Sequence, residues 1–167
     1  MFEVPQSVFD TYNAAMDAMI DTNFGIQCLL RYPPTLVKCT NCNFNSMTGK
    51  SSNIYNGTGP IPFTDGYCPY CNGIGSTDNE QTEIIKLRCY FTPKHWLKLQ
   101  MDIKVPDGAI QTIGHIADLP KCRQCNYMTA NSLQTALGDY RYRLWGEPVY
   151  HGFQNKNFFI AFWERAR

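Results

Sequence analysis

Hydrophobic positions follow a helical period at the start of the chain. Over residues 7–24, apolar side chains recur on one face at a spacing near one helical turn: Val8, Phe9, Tyr12, Met16, Met19 and Ile20. Ser7 is a candidate N-cap with Asp10 three residues later, and Gly25 is placed to end the helix. The pattern therefore predicts one amphipathic helix, which either covers an open face of a sheet or docks to a partner.

After Gly25 the period changes to two, which is typical of half-buried strands. Alternating apolar positions predict strands over residues 26–32, 84–91, 96–105, 109–116, 140–144 and 157–164. Pro106-Asp107-Gly108 predicts a hairpin turn between two of these strands, and Gly146-Glu147-Pro148 predicts a further turn. One leading helix and five or six such strands predict a mainly β fold, a small antiparallel β-barrel or sandwich.

Residues 35–79 break this alternation. The segment is rich in Asn, Gly, Ser and Pro and has too few apolar side chains to build a core of its own. Loops of this length are uncommon in compact domains unless they carry a function or a covalent or metal cross-link. We therefore predict an insertion over 35–79, with the helix and first strand in 1–34 and the remainder of the same barrel domain in 80–167.

Four cysteines lie within this insertion as two pairs, each with two residues between the thiols. They are Cys39 with Cys42 and Cys68 with Cys71. Two such knuckles bring four thiolates to one tetrahedral site, which suits zinc; iron, disulfides or free thiols are the alternatives. Four sulfurs leave no position for water on the ion. The sequence therefore predicts an inserted zinc ribbon with a structural ion.

A third pair, Cys122 and Cys125, has no further pair beside it in the sequence. It is consistent with two ordinary thiols, with a second metal site completed across subunits, or with a redox dithiol. In the second interpretation His115 is a possible third ligand. Cys28 and Cys89 occupy apolar positions of predicted strands, so we expect them in the core.

Charged residues make up only 17% of the chain, and the formal net charge is +1. A surface so poor in charge is often partly covered by other subunits. Lys and Arg are scattered, unlike the concentrated basic patch of a dedicated nucleic-acid binder. No apolar run approaches the ~20 residues that span a bilayer, and the amino terminus lacks the features of a signal peptide. We therefore expect a cytoplasmic protein whose eight cysteines favour metal over disulfides.

Motifs of catalysis are absent from the sequence: there is no phosphate-binding glycine loop, no nucleophile elbow and no zinc-protease motif. His95, His115 and His151 are each isolated. We therefore expect a protein that is not an enzyme. The last predicted strand is dense in aromatic side chains, which suit the core of a barrel or, alternatively, a platform for stacking bases.

Several further motifs accompany the cysteines. Tyr32-Pro33-Pro34-Thr35 precedes the first knuckle, and the polar loop 51–57 leads to the second. Near the end stand Ile116-Ala117-Asp118-Leu119-Pro120, Tyr142-Arg143-Leu144-Trp145-Gly146-Glu147-Pro148, His151-Gly152-Phe153 and Trp163-Glu164-Arg165-Ala166. This arrangement resembles the head-completion, or neck, proteins of tailed bacteriophages, which are head–tail connectors. Some members of that group insert a zinc ribbon into a compact β-barrel.

The resemblance implies a viral structural protein of the virion neck, assembled in the host cytoplasm as a homo-oligomeric ring between portal and tail. Its partners would be copies of itself, portal or adaptor proteins and tail proteins, with packaged DNA nearby and no membrane. The alternative class is a zinc-ribbon nucleic-acid-binding module, with phosphate contacts from Lys38, Lys50, Lys86 and Arg88.

Overall fold

The computed structural model describes residues 4–91, 106, 108–131, 140–152 and 157–166 of the 167-residue chain. The chain divides into two compact units. One combines Met1–Tyr32 with Thr82–Arg167, and the other is Pro33–Gln81. We call the first the barrel unit and the second the ribbon unit; the sequence had placed the insertion at 35–79.

Ten strands are found in the described part of the chain. In chain order they are β1 Gly25–Arg31, β2 Thr35–Lys38, β3 Cys42–Asn45, β4 Lys50–Tyr55, β5 Ser76–Asn79, β6 Thr82–Tyr90, β7 Ile110–His115, β8 Tyr127–Asn131, β9 Tyr142–His151 and β10 Phe158–Arg165. Six of them form a closed antiparallel barrel in the order β1-β6-β7-β10-β9-β8. The predicted fold class, a mainly β barrel with one N-terminal helix and an inserted ribbon, is confirmed.

The ribbon unit contains the other four strands as two separate antiparallel pairs, β2 with β5 and β3 with β4. The unit enters and leaves the barrel unit through neighbouring strands, because Arg31 at the end of β1 is the cross-strand partner of Thr82 at the start of β6. The two ends of the insertion are therefore held side by side by the barrel's own ladder.

The N-terminal helix differs from its prediction at both ends. The α-helix α1 spans Gln6–Ala18, with Pro5 rather than Ser7 in the N-cap position, and then continues as a π-helical turn, Met19–Asn23. Gly25 begins β1 instead of capping the helix. Its backbone passes so close to the Ile20 carbonyl oxygen that a β-carbon there would lie 1.6 Å from it. Only glycine permits this tight passage from helix to strand.

The apolar face of α1 covers one side of the barrel. Met16 and Ile20 are buried against Ile113 of β7 and Phe158 of β10. Two histidines of the barrel strands also contact the helical segment. A ring nitrogen of His115 lies 3.1 Å from a carboxylate oxygen of Asp21. A ring nitrogen of His151 lies 3.0 Å from the Tyr12 hydroxyl. The helix therefore closes the barrel surface, as the first of the two sequence interpretations expected.

The barrel interior is filled by alternate residues of its strands. Its largest fully buried side chains include Leu30, Leu87, Met128, Phe159 and Trp163. The aromatic residues Phe158, Phe159 and Trp163 of the last strand are thus core, which favours that interpretation over a stacking platform. Cys28 and Cys89 are also buried, with their sulfurs 3.7 Å apart, and the core position predicted for them is confirmed.

Four features of the barrel unit were not predicted or were predicted wrongly. The 3₁₀ turn Ile116–Asp118, the helix α2 Leu119–Gln124 and β8 were missed. The turn predicted at 146–148 is wrong, because these residues belong to the continuous strand β9. The pairing of β9 with β10 shifts register at this point, between Ile160 and Phe162. The turn after Pro106 is present, since the Ala109 N–H donates to the Pro106 carbonyl at 3.1 Å. The predicted strand 96–105 lies outside the described residues.

Within the described chain, no helix combines the length and the apolar character that crossing a bilayer requires.

Candidate metal centre

The four cysteines of the ribbon unit converge on one point. Cys39 lies between β2 and β3, and Cys42 is the first residue of β3. Cys68 and Cys71 lie in the long turn before β5. All four side chains are buried, and their sulfur atoms lie within 4.8 Å of one another. Among the described residues, these form the group of three or more potential ligands that can hold a metal ion.

The spacing of the sulfurs fits a tetrahedral ion. A metal–sulfur bond of about 2.3 Å, the usual zinc value, requires neighbouring sulfurs about 3.8 Å apart. The Cys39 and Cys68 sulfurs are 3.9 Å apart, and the Cys42 and Cys71 sulfurs are 3.7 Å apart. Both separations are also much longer than the ~2.05 Å of a disulfide bond, and all four cysteines are free. The site is therefore preformed for an ion rather than for disulfides.

Each sulfur also receives a hydrogen bond from the surrounding chain. The backbone N–H of Asn41 donates to the Cys39 sulfur at 3.4 Å, and that of Gly75 donates to the Cys71 sulfur at 3.2 Å. The Asn41 side-chain amide donates to the Cys68 sulfur at 3.5 Å, and Ser51 bonds to Cys42. Such donors stabilise thiolates and hold them in position for the ion.

Asn41 connects the metal centre to the loop that follows β4. Its side chain is fully buried. Its amide donates to the Ile61 carbonyl, and its carbonyl oxygen accepts from the Ile61 N–H, both at 2.8 Å. Gly59 packs directly on it, because a β-carbon on Gly59 would lie 2.4 Å from Asn41. Asn41 was not predicted from the sequence, although its place just before Cys42 was the available signal.

The backbone of the second knuckle explains the glycines that follow it. Gly73 and Gly75 have φ values of +80° and +86°, in the left-handed region that favours glycine. A β-carbon on Gly75 would also lie 2.5 Å from the Ser51 backbone nitrogen. Gly75 thereby brings its N–H to the Cys71 sulfur while its carbonyl accepts from the Cys39 N–H at 2.9 Å. The two knuckles are joined through this single residue.

The acidity of the four thiols is uneven. Burial by itself raises the pKa of Cys68, but hydrogen bonds from Asn41 and from the N–H groups of Cys71 and Tyr70 lower it to about 6. Burial raises the pKa of Cys42 to about 12 and also raises that of Cys39. A cation would thus find a thiolate at Cys68 and displace protons from its neighbours as it binds.

The structure does not bring His115 into a ligand group with Cys122 and Cys125. The His115 ring faces Asp17 and Asp21 at 3.6 and 3.1 Å. Cys122 is fully buried in the barrel core, and the Cys125 thiol donates to the Cys122 carbonyl at 3.2 Å. Burial raises the pKa of both thiols, that of Cys125 to about 11. A reactive dithiol needs the opposite shift, so these observations favour two ordinary thiols.

Two of the four cations that would serve a nucleic-acid-binding ribbon lie outside the ribbon unit. Within it, the Lys38 ammonium lies 5.2 Å from the centre of the Phe44 ring, a contact that does not prevent phosphate binding. Lys86 and Arg88 belong to β6 of the barrel unit, where they donate to the carbonyls of Asp21 and Phe24 at 2.9 and 3.0 Å. These contacts do not favour a phosphate-binding ribbon.

We expect Asn41→Ala to weaken metal binding by roughly 10- to 100-fold, as is usual when a residue that orients a ligand is removed. The substitution deletes the Cys68 hydrogen bond and both contacts to Ile61 but leaves all four ligands. Competition with a chromophoric chelator, using zinc, measures the change. Asn43→Ala is the matched control, because Asn43 is an exposed asparagine of β3 next to the ligand Cys42. Equal affinities for the two variants would contradict the role given to Asn41.

Comparison with known proteins gave no relatives: no family model, no curated protein and no solved structure matches this chain. The class of protein that the fold and site define is therefore a closed antiparallel barrel with an inserted four-cysteine ribbon.

Proposed function

We propose that the ion is zinc and that it stabilises the ribbon unit without taking part in chemistry. Four thiolates complete a tetrahedral shell and leave no open position. The buried apolar cluster of the ribbon unit consists of the four cysteines, with Phe63 packed against them. The ion thus stands where a larger unit would have a hydrophobic core.

We further propose that the chain is a structural subunit of the neck of a tailed bacteriophage, forming a ring between portal and tail. The ribbon unit is its zinc-stabilised interface loop. One observation carries this proposal: the ribbon unit exposes large apolar side chains, namely Leu36, Val37, Met47, Ile54, Ile61, Tyr67, Tyr70 and Ile74. Where such side chains adjoin on a surface, they form contact sites for other proteins.

The most exposed of these side chains is Met47, at 95%, in the turn between β3 and β4. The turn is rigid because the Asn45 side chain accepts hydrogen bonds from the N–H groups of Met47 and Thr48, at 2.9 and 3.3 Å. Tyr67, 77% exposed, directly precedes the ligand Cys68. A fixed turn and a metal-anchored loop present these side chains without the entropy loss of ordering a mobile segment.

Native mass spectrometry of the zinc-loaded protein, with cryo-electron microscopy of the same sample, tests the proposal. We expect closed rings for the natural chain. The double variant Met47→Ser/Tyr67→Ser is expected to weaken ring assembly at least tenfold, about 1.4 kcal/mol, while zinc stays near one ion per chain. The control Thr48→Ala/Asp65→Asn changes exposed polar residues of the same unit and should leave the rings intact. A zinc-loaded natural chain that remains a strict monomer would refute the ring.

The neighbouring genes provide an independent check on the viral assignment. Portal and capsid genes beside this one would support a neck subunit. A ring-forming protein encoded far from any such genes would retain the assembly part of the proposal and lose the viral part.

A further inference from the structure

Two arginines on the outer face of the barrel contact one tyrosine ring. The guanidinium carbons of Arg141 and Arg143 lie 5.9 and 5.6 Å from the centre of the Tyr127 ring, and Arg143 also donates to the Tyr127 hydroxyl at 3.4 Å. We call these three residues the arginine–tyrosine patch. Arg165 lies over the Tyr140 ring, but it is opposite the buried Tyr142 and is not part of this patch.

Strand register brings the patch together from two parts of the chain. Tyr142 of β9 is buried and lies opposite the buried Met128 of β8. Tyr127 precedes Met128, and Arg141 and Arg143 flank Tyr142, so these three side chains alternate with the buried pair and lie on the outer face of the barrel. The position of Tyr127 beside the two arginines becomes visible only in the folded barrel.

The patch arginines lack the ion pairs that some other cations of the barrel unit make. Lys121 pairs with Glu83 at 2.6 Å and with Asp118 at 3.0 Å, and Arg123 pairs with Glu147. In the described part of the chain, no such ion pair is found for Arg141 or Arg143, although Glu164 is the cross-strand partner of Arg143. The two guanidinium groups contact the Tyr127 ring instead.

This arrangement suits phosphate. A guanidinium stacked on a ring keeps its N–H edges free, and those edges form paired hydrogen bonds to phosphate oxygens. Stacking also restricts the side chain in advance, which lowers the entropy cost of binding. Arg141 and Arg143 are two residues apart, hence on the same side of the chain and roughly 7 Å from each other. Both cations are arginine, the residue preferred for such contacts.

We propose that the arginine–tyrosine patch binds the phosphodiester backbone of nucleic acid. Arginine interleaved with aromatic rings is typical of surfaces that follow a nucleic-acid strand without reading its sequence. The proposal differs from a ribbon that binds nucleic acid, because the patch lies entirely in the barrel unit. It also holds whether the chain acts alone or in a ring, so it does not depend on the neck proposal.

Fluorescence anisotropy with a labelled mixed-sequence duplex, over about 50 to 200 mM salt, tests the patch in the full zinc-loaded chain. For Arg141→Gln/Arg143→Gln we expect at least tenfold weaker binding. We also expect a salt slope reduced by about 1.8, since each lost phosphate contact removes about 0.9 from it. The matched control is Lys121→Gln/Arg123→Gln, which changes the net charge equally at cations already paired with carboxylates. It should bind within about twofold of the natural chain, apart from the screened long-range effect of charge.

Three results would overturn the inference. They are no binding by the natural chain at 50 mM salt on the scale typical of non-specific complexes, equal losses in the patch variant and its control, or equally strong competition by polyglutamate at matched charge. The last result would assign the patch to an acidic protein segment. Circular dichroism and native mass spectrometry of each variant verify its fold and oligomeric state. Rings that persist in the patch variant would show that assembly and nucleic-acid binding fail independently.

Discussion

Cys68→Ser is expected to abolish tight metal binding and to unfold the ribbon unit while the barrel unit stays folded. Cys68 is fully buried, and its sulfur accepts a hydrogen bond from the Asn41 side-chain amide. Structural zinc supplies on the order of 10 kcal/mol of apparent binding free energy, which is folding free energy for a segment with so small an apolar cluster. Removing one thiolate from the four should therefore eliminate most of the stability of this unit.

The barrel unit should survive because its interior does not depend on the cysteine ligands. Its core is a separate cluster that includes Leu30, Leu87 and Trp163. The ends of the insertion remain paired through Arg31 and Thr82, so an unfolded ribbon becomes a long loop between adjacent strands. Lengthening a loop costs little, because closure entropy grows only with the logarithm of its length.

Elemental analysis and hydrogen exchange with mass spectrometry check this result. We expect about one zinc ion per natural chain, almost none in Cys68→Ser, and a loss of amide protection confined to Pro33–Gln81. Cys125→Ser is the control, since Cys125 is a half-buried thiol outside the cluster. Full zinc content in Cys68→Ser would contradict the assignment of the site. Two ions per natural chain would instead make Cys122 and Cys125 ligands.

The metal centre was predictable because its chemistry is local. Two residues between cysteines already bring both sulfurs of a knuckle to one side of a tight turn. Two of the donors to those sulfurs were less accessible: Ser51 bonds to Cys42, and the Asn41 side chain bonds to Cys68, from separate parts of the ribbon unit. Their approach depends on the path of the whole loop, which spacing alone does not encode.

The barrel was predictable where burial imposes alternation. The segments 84–91 and 157–164 became β6 and β10 with shifts of a residue or two. The strands of the ribbon unit were missed because a two-stranded ribbon has no buried face to impose a period; every residue of β2 is exposed. The turn predicted at residues 146–148 was wrong because it was inferred from Gly and Pro, which are typical of turns. In β9 the left-handed φ of +69° at Gly146 instead accommodates an irregularity within a strand.

The arginine–tyrosine patch shows the same limit for function. Composition and net charge gave no reason to expect a site for nucleic acid, because charge in a sequence is counted along the chain. Register, which pairs Tyr142 with Met128 of β8, is what places Tyr127 beside the two arginines. Single-sequence reasoning identifies sites whose ligands are neighbours and misses those assembled by strand pairing.

Trp163→Ala is expected to lower the free energy of unfolding of the barrel unit by about 3–5 kcal/mol, the usual cost of deleting a fully buried large aromatic side chain. Trp163 is one of the fully buried side chains of the core, and its indole N–H donates to the Thr112 hydroxyl at 2.8 Å. The Thr112 hydroxyl in turn bonds the Ala161 carbonyl at 3.4 Å. The variant therefore loses packing and leaves a buried hydroxyl with one partner fewer.

Urea unfolding followed by far-ultraviolet circular dichroism, with zinc in excess to keep the ribbon unit folded, measures the change. Trp163→Phe separates the two contributions: it keeps most of the ring volume but cannot donate, so it should cost about 1–3 kcal/mol. Val149→Ala, at a position 57% exposed on β9, should cost well under 1 kcal/mol. If Trp163→Ala cost no more than Val149→Ala, the indole could not lie in the barrel interior. The strand parity that places Phe159 and Ala161 inside with it would then be wrong as well, because a shift by one residue reverses every side chain on a strand.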